Sequence, residues 1–376
     1  QYLTDLATKK RNLYKGKVIG ITGSAGKTTL KETLAFFLKK DNLISYSQKS
    51  YNNELGVLIS LLNLNLKSSY AIFEIGTNNF GEIKYLTNLV RPEQIFITNI
   101  QSTHLENFKT KNKIAKEKSD IFVSKYNNKR QILYVNIKTS PEEIILKKAK
   151  KEKNLKIIII NKLSKKYFVK NIIKEKKYYK VILSINKKIK ILETKSVVMF
   201  RIFNLLFCYA FFDQNFLNLN TIPKRHKLLK PIEGRGLTHS ISLNKIRLKV
   251  IDESYNANPD TMYQSLEYFS NIKKSNTKKI LIFGNMNELG RKSLKIHHEV
   301  LLHIERYSFK MIILCGEFFR KSIKKLNNPK NKFVYFGSEN KIMNYLKKNI
   351  HNDDIIMVKC SNSTIVNNFT KNLLKR

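Results

Sequence analysis

The sequence predicts an α/β fold in two parts: a central, mostly parallel sheet of the phosphate-loop type, then a smaller Rossmann-like, doubly wound C-terminal domain. Three observations carry this. Short apolar runs at 17–22, 70–76 and 94–100 each end in polar residues and alternate with helical stretches, the pattern of parallel strands covered by helices. Five further runs, "RLKVID", "KILIFGN", "KMIILCG", "KFVYFG" and "DIIMVKC", recur between residues 247 and 360 with helical stretches between them. The stretch 218–236, with Pro223, Pro231, Gly234 and Gly236, separates the two series. The expected domains are therefore 1–230 and 231–376.

The first strand, "KVIGIT" (17–22), runs into a short glycine loop and then a helix from about Lys27 to Lys39. The longer phosphate loop needs a glycine five positions before the Gly26-Lys27 pair, and Ile21 stands there. Gly23, Ser24, Ala25, Gly26, Lys27, Thr28 and Thr29 nevertheless form a phosphate cradle in principle. Small residues let backbone N–H groups approach an anion, and a helix N-terminus favours negative charge. Lys27 can reach the outer phosphates of a nucleotide and Thr28 can ligate Mg²⁺. In "YAIFEIG", Glu74 sits near the end of an apolar strand, where a carboxylate is costly to bury without a cation; a Mg²⁺ bridged to phosphate would justify it. His104, in the loop after "QIFITNI", is placed for a metal or a polarised oxygen.

Residues 139–195 are dense in Lys and Ile and read as a small antiparallel excursion with solvated lysine faces. The apolar run Val197–Phe212 contains Arg201 and Asn204 and is too short for a membrane span, so a buried helix is expected, with no membrane insertion. Cys208, Cys315 and Cys360 are isolated, which excludes a zinc motif or disulfide framework and fits a reducing cytoplasm. The 71 Lys and Arg against 28 acids give +43. The excess is mostly lysine spread along the whole chain and coincides with no nucleic-acid recognition motif. No specific nucleic-acid partner is expected, although the field attracts anionic substrates in general.

The succession "ITGSAGKTTLKE", "YNNELGVLISLLNL", "FEIGTNNFGEIKYLTNLVRPEQIFITNIQSTHLENF", "KEKSDIF", "DESYNANPDTM" and "NMNELG" resembles the Mur ligases, in order and over nearly the whole chain, least so over 139–195. The likeness is greatest to the branch that adds D-alanyl-D-alanine to UDP-N-acetylmuramoyl-tripeptide in peptidoglycan synthesis. The family's shortened loop is met by Gly23–Thr28. The resemblance implies an ATP-dependent ligase that activates the tripeptide carboxylate as an acyl phosphate, with Mg²⁺, two ions in all. It implies Lys27 on the γ-phosphate, Thr28 and Glu74 on one Mg²⁺ and His104 at the second. It further implies a carbamylated Lys118, Asn204 near the adenine, Arg235 on the ATP phosphates and Glu253 at an acidic nucleotide position. Asn52, Asn53, Tyr255, Asn256 and Asn258 would face substrate. A cytoplasmic monomer is expected.

Some residues depart from the family pattern. Phe200 and Arg201 replace a His-Asn pair, Asn285 a carboxylate, Glu253 an aspartate and Cys360 a glycine. Complete members carry an N-terminal domain that grips the UDP moiety, while this sequence begins at Gln1 just before the loop strand. A fragment that binds ATP–Mg²⁺ but handles the UDP-substrate poorly is the corresponding expectation. Three alternatives stay open: another Mur-type or folylpolyglutamate-type ligase, a degenerate nucleotide-binding protein, or a nucleic-acid binder. "YNANP" and "NELG" weigh against the first, the retained Lys27, Thr28, Glu74, His104 and Arg235 against the second.

Overall fold

Strand β1 (Lys17–Thr22) is the hinge of the first unit's topology. With β2 (Ile44–Tyr46), β3 (Tyr70–Glu74), β4 (Gln94–Ile97), β5 (Gln131–Val135) and β6 (Leu155–Ile159) it forms a six-stranded sheet in the order β2-β3-β1-β4-β5-β6. Every pairing in it is parallel. The computed structural model describes residues 1–123, 130–137, 140–161, 164–194, 198–272, 275 and 278–375. The order of strands reverses at β1, flanked by β3 and β4, so a crevice opens at the carboxyl ends of these strands. Their sequences are near-continuous apolar runs because helices cover both faces; all five residues of β3 are buried.

The helices of this unit are α1 (Tyr2–Leu13), α2 (Lys27–Leu38), α3 (Glu54–Leu62), α4 (Glu82–Val90), α5 (Leu105–Phe108), α6 (Lys111–Lys118), α7 (Ser140–Ala149), α8 (Met199–Gln214) and α9 (Thr221–Arg225). Helix α8 realises the run expected to be buried; Val197 lies outside the described residues. Its Phe207 and Phe211 pack on Phe96 of β4, which stacks on Tyr134 of β5 at 4.5 Å. The same core cluster continues into Val181, Leu183, Ile185 and Leu192. Each large apolar side chain so buried contributes about 1.5–3 kcal/mol. Among the described residues, no helix is long and apolar enough to cross a membrane.

The antiparallel excursion is narrower than the expected 139–195, whose two end residues lie outside the described ones. It consists of β7 (Tyr167–Lys174), β8 (Tyr179–Ile185) and β9 (Lys188–Thr194), paired in that order. Helix α7 and β6, although as lysine-rich, extend the parallel sheet. The apolar run at 157–160 supplies a strand that pairs with β5, and surface lysines obscure that signal.

The second unit contains residues Lys230–Arg376 together with Ser102–Glu106; the first contains Gln1–Gln101 and Asn107–Leu229. Its strands are β10 (Leu237–Leu243), β11 (Ile246–Glu253), β12 (Lys279–Phe283), β13 (Met311–Leu314), β14 (Phe333–Tyr335) and β15 (Ile355–Lys359), ordered β10-β11-β15-β12-β13-β14. Its helices are α10 (Pro259–Ser270), α11 (Ser293–Ile304), α12 (Glu317–Ile323), α13 (Glu339–Asn349) and α14 (Ile365–Leu374). Five strands are parallel, as the apolar runs predict. The sixth, β10, is an antiparallel edge joined to β11 by Asn244-Lys245, both at positive φ (51° and 66°). That two-residue turn suits a hairpin, but it carries no glycine to announce it.

Candidate active site

The loop after β1 is held from beneath by the residues that follow β4. Asn99 Oδ1 accepts the Ala25 N–H at 2.9 Å and its Nδ2 donates to Ala25 O at 3.1 Å. Thr98 Oγ1 also donates to Ala25 O, and Ser24 Oγ accepts the Gln101 N–H. Gly23 has φ 143°, and a Cβ there would lie 1.9 Å from Thr98 Oγ1. Gly26, at φ 82°, caps α2 without a side-chain bond. Lys27 Nζ donates to Gly23 O at 2.9 Å, while half-buried Thr29 accepts Thr33 Oγ1 through its carbonyl. The first turn of α2 thus presents its backbone donors around two glycines, which is a phosphate cradle.

Thr28 and Glu74 meet at its floor. Thr28 Oγ1 donates to Glu74 Oε2 at 2.7 Å, and Asn52 Nδ2 donates to Glu74 Oε1 at 2.7 Å. The carboxylate is 1% exposed. Ser50 Oγ lies 3.2 Å from Thr28 Oγ1. The loop bearing Ser50 and Asn52 is tied down by Lys31, a fully buried cation whose Nζ donates to Ser47 O at 2.5 Å and to Lys49 O. Asn53 Oδ1 accepts the Gly56 N–H and caps α3.

Lys118 ends α6 and is 1% exposed. Among the described residues its ammonium has no hydrogen-bond or ion-pair partner. Burial first, and then the charge of Lys27, push its pKa well below the usual lysine range, Glu117 acting the other way. Glu117 accepts the N–H groups of Gly81 and Ile83, capping α4 with its carboxylate. Asn204, on α8, sits beside the loop: a Cβ on Gly26 would be 3.9 Å from its Oδ1. Its buried Nδ2 has no partner among the described residues.

The remaining candidates belong to the second unit. His104, at φ 51°, places Nδ1 2.7 Å from Glu288 Oε2, so the structure groups it with this unit and not with Thr28 and Glu74. The Arg235 guanidinium stacks on the Tyr255 ring at 4.0 Å. Glu253 pairs with Lys359 at 2.9 Å and accepts Ser265 Oγ. Asn256 Oδ1 accepts the Ala257 N–H, and Asn258 caps α10 in a capping box with Thr261. These two asparagines shape the "YNANP" turn with the side chains expected to face substrate.

Residues 21–212 match the Mur ligase middle domain and residues 242–362 the Mur ligase, glutamate ligase domain. A UDP-N-acetylmuramoyl-tripeptide–D-alanyl-D-alanine ligase of Rickettsia prowazekii is 30% identical over 96% of this chain and 78% of its own length. The chain belongs to the Mur ligase family. The solved MurF of Acinetobacter baumannii superposes with a TM-score of 0.86, covering 100% of this chain and 80% of that one at 23% identity. The MurF ligase of Thermotoga maritima, solved in complex with ADP, gives 0.83 at 20% identity, covering 100% and 83%.

For a Mur ligase the first unit's residues fit a Mg-nucleotide. Two glycines at positive φ open the cradle, a hydroxyl and a buried carboxylate converge beneath it, and an orphaned amide donor lies beside it. Oxygen donors of this kind suit Mg²⁺. The sequence reading missed Asn99, Ser50 and Lys31, which hold this Mur ligase cradle in shape. Asn99 alone left a signal, a polar residue closing the apolar run "QIFIT".

Proposed function

We propose that this chain is the ATP-dependent ligase that joins D-alanyl-D-alanine to UDP-N-acetylmuramoyl-tripeptide in peptidoglycan precursor synthesis. The observation that carries the phosphoryl chemistry is the Thr28–Glu74 pair under the loop of Gly23–Thr28; the relatives' names supply the substrates. ATP converts the tripeptide carboxylate, a poor electrophile, into an acyl phosphate, which the dipeptide amine attacks with loss of phosphate.

The chain's work is positioning and charge neutralisation. The backbone N–H groups after Gly23 cradle phosphate, Lys27 neutralises its outer oxygens, and Asn204 offers its free amide donor toward the nucleotide. Thr28 and Glu74 would hold one Mg²⁺, which when bound draws charge from the transferring phosphoryl group. Buried Lys118, its amine favoured over its ammonium, suits a carbamate that would add an anionic oxygen near Lys27. Roles for His104 at a second Mg²⁺, Arg235 and Glu253 toward the nucleotide, and Asn52, Asn53, Tyr255, Asn256 and Asn258 toward substrate follow the family pattern. A monomer in the cytoplasm completes the reading.

The test is phosphate release from ATP with the UDP-tripeptide, with and without D-alanyl-D-alanine. Release that needs both substrates is expected. ATP binding without turnover overturns the ligase in favour of a nucleotide-binding protein; turnover with glutamate in place of the dipeptide favours a folylpolyglutamate-type enzyme.

A further inference from the structure

The sheet β7-β8-β9 is apolar on both faces, and one of them looks outward. Directly paired residues share a face, and faces alternate along each strand. On the inner face Val181 pairs with Leu192, and both join Leu183 and Ile185 in the core cluster with residues of α8. The outer face is built from the alternate rows. Ser184 lies between Phe168 and Ile189, Ile182 between Asn171 and Ile191, and Lys180 between Ile173 and Glu193. Ile173, Ile189 and Ile191 are 40%, 48% and 53% exposed, and Phe168 and Ile182 are half-buried beside them. An antiparallel sheet covered on one side ordinarily turns polar residues outward. Exposed apolar residues scattered singly call for no explanation, whereas neighbours in adjacent rows make a patch.

Cations flank this patch. Residues 164–194 hold ten lysines and two acids, Glu175 and Glu193. Exposed Lys166, Lys187 and Lys188 stand at the end where β7 begins and Asn186-Lys187 turns β8 into β9. Exposed Lys174, Lys176 and Lys177 stand at the opposite end, around the turn from β7 to β8. Both acids are already matched by lysines, Glu175 by Lys180 at 3.1 Å and Glu193 by Lys227 at 2.9 Å. An apolar centre between two cationic ends complements an anionic lipid surface: ammonium groups meet headgroup phosphates while aliphatic side chains enter the acyl boundary. A nucleic acid would leave the isoleucines unused, since they cannot stack on bases as aromatic rings do. A second copy of the face would set like charges against each other.

We propose that the outer face of β7-β8-β9 docks this chain on an anionic lipid bilayer, with Ile189 and Ile191 reaching below the headgroups and the lysines at both ends on lipid phosphates. The contact is peripheral, needs no spanning helix, and is independent of the ligase reading.

The experiment mixes the full chain with vesicles of phosphatidylcholine alone, or of equal parts phosphatidylcholine and phosphatidylglycerol, and reads bound protein by sedimentation. Binding to the anionic vesicles alone, weakening as salt is added, is expected. A net charge of +43 gives some attraction by itself, so the decisive variant leaves charge unchanged. Ile189→Ser combined with Ile191→Ser should weaken binding by about tenfold or more. Lys176→Gln with Lys177→Gln should also weaken it by about tenfold. Lys324→Gln with Lys325→Gln removes the same charge from exposed positions of the second unit and should do much less. The chain has no Trp, so Ile191→Trp reports the contact directly, its emission shifting to the blue on anionic vesicles. Thermal melts without vesicles check that each variant folds. No binding to anionic vesicles, binding that the isoleucine variant leaves intact, or equal losses from the two lysine pairs overturns the proposal. A dimer of the parent that the isoleucine variant dissolves assigns the face to a second copy and overturns it as well.

Discussion

Thr28 Oγ1 donates to Glu74 Oε2 at 2.7 Å, joining the first turn of α2 to the end of β3. Register explains the meeting: Ile21 of β1 pairs with Glu74 of β3, so the loop leaving β1 starts beside the carboxylate. Replacing Thr28 by Val keeps the shape and removes the hydroxyl. Mg²⁺-dependent ATP binding should weaken by about tenfold or more in calorimetry, while unfolding stability falls by only about 1–3 kcal/mol. Unchanged Mg²⁺ dependence would remove Thr28 from the metal site.

Lys31 is the deeper support. Its ammonium reaches the carbonyls of Ser47 and Lys49 in the segment that carries Ser50 and Asn52. Lys31→Met leaves both carbonyls without this donor, at a cost of about 2–4 kcal/mol in urea unfolding. ATP turnover should fall with it, because Asn52 then holds Glu74 less firmly. A Lys31→Met variant as stable as the parent would show that the segment is held by other contacts.

Two glycines offer an internal control. A Cβ at Gly23 would collide with Thr98 Oγ1, whereas at Gly81 nothing lies within 4 Å, although both have positive φ. Gly81→Ala should cost about 1–2 kcal/mol from backbone strain alone. Gly23→Ala adds the collision and should cost about 2–4 kcal/mol together with nucleotide affinity. Thermal melts with and without ATP separate the two.

The strands and the loop were legible because apolar runs and glycine spacing are local. The ties between them were not. Asn99, Ser50 and Lys31 act across turns that only the sheet order brings together, and a lysine among 71 Lys and Arg attracts no notice in a sequence. The expectation that Asn53 and Asn258 face substrate did not foresee that both also cap helices. An asparagine before an apolar helix satisfies backbone donors as readily as it binds a ligand.

Lys118 invites a direct chemical test. Its amine, favoured by burial and by Lys27, can add CO₂ to give a carbamate with release of a proton. Protein equilibrated with ¹³C-bicarbonate should show one carbamate resonance that grows as pH rises through the depressed pKa and is missing in Lys118→Arg. A parent protein without the resonance would sink the modification.

His297 should make the second unit acid-sensitive. Its Nε2 accepts the Met286 N–H at 3.0 Å, so Nδ1 carries the proton and donates to Ser293 O at 2.7 Å. Burial lowers its pKa to about 4, the bond to Ser293 opposing. The folded pKa lies below the unfolded value of about 6.5, so the unfolded chain binds more protons and stability falls as pH drops between the two. Up to about 3 kcal/mol should be lost across that window. Urea titrations at about pH 7.5 and 4.5 should show this, and His297→Gln should flatten the difference.

The short segment Ser102–Glu106 has a consequence for anyone who cuts the protein apart. It follows a first-unit strand, yet the Ser102 N–H donates to Asp260 and the Glu106 N–H to Glu288 O, and the chain then returns at Asn107. The backbone therefore passes between the units at three places. A protease or an expression boundary at 229/230 severs one of them and leaves two. A C-terminal piece starting at Lys230 would lack its own His104 loop. The two halves are divisible in space but not by a single scission of the thread.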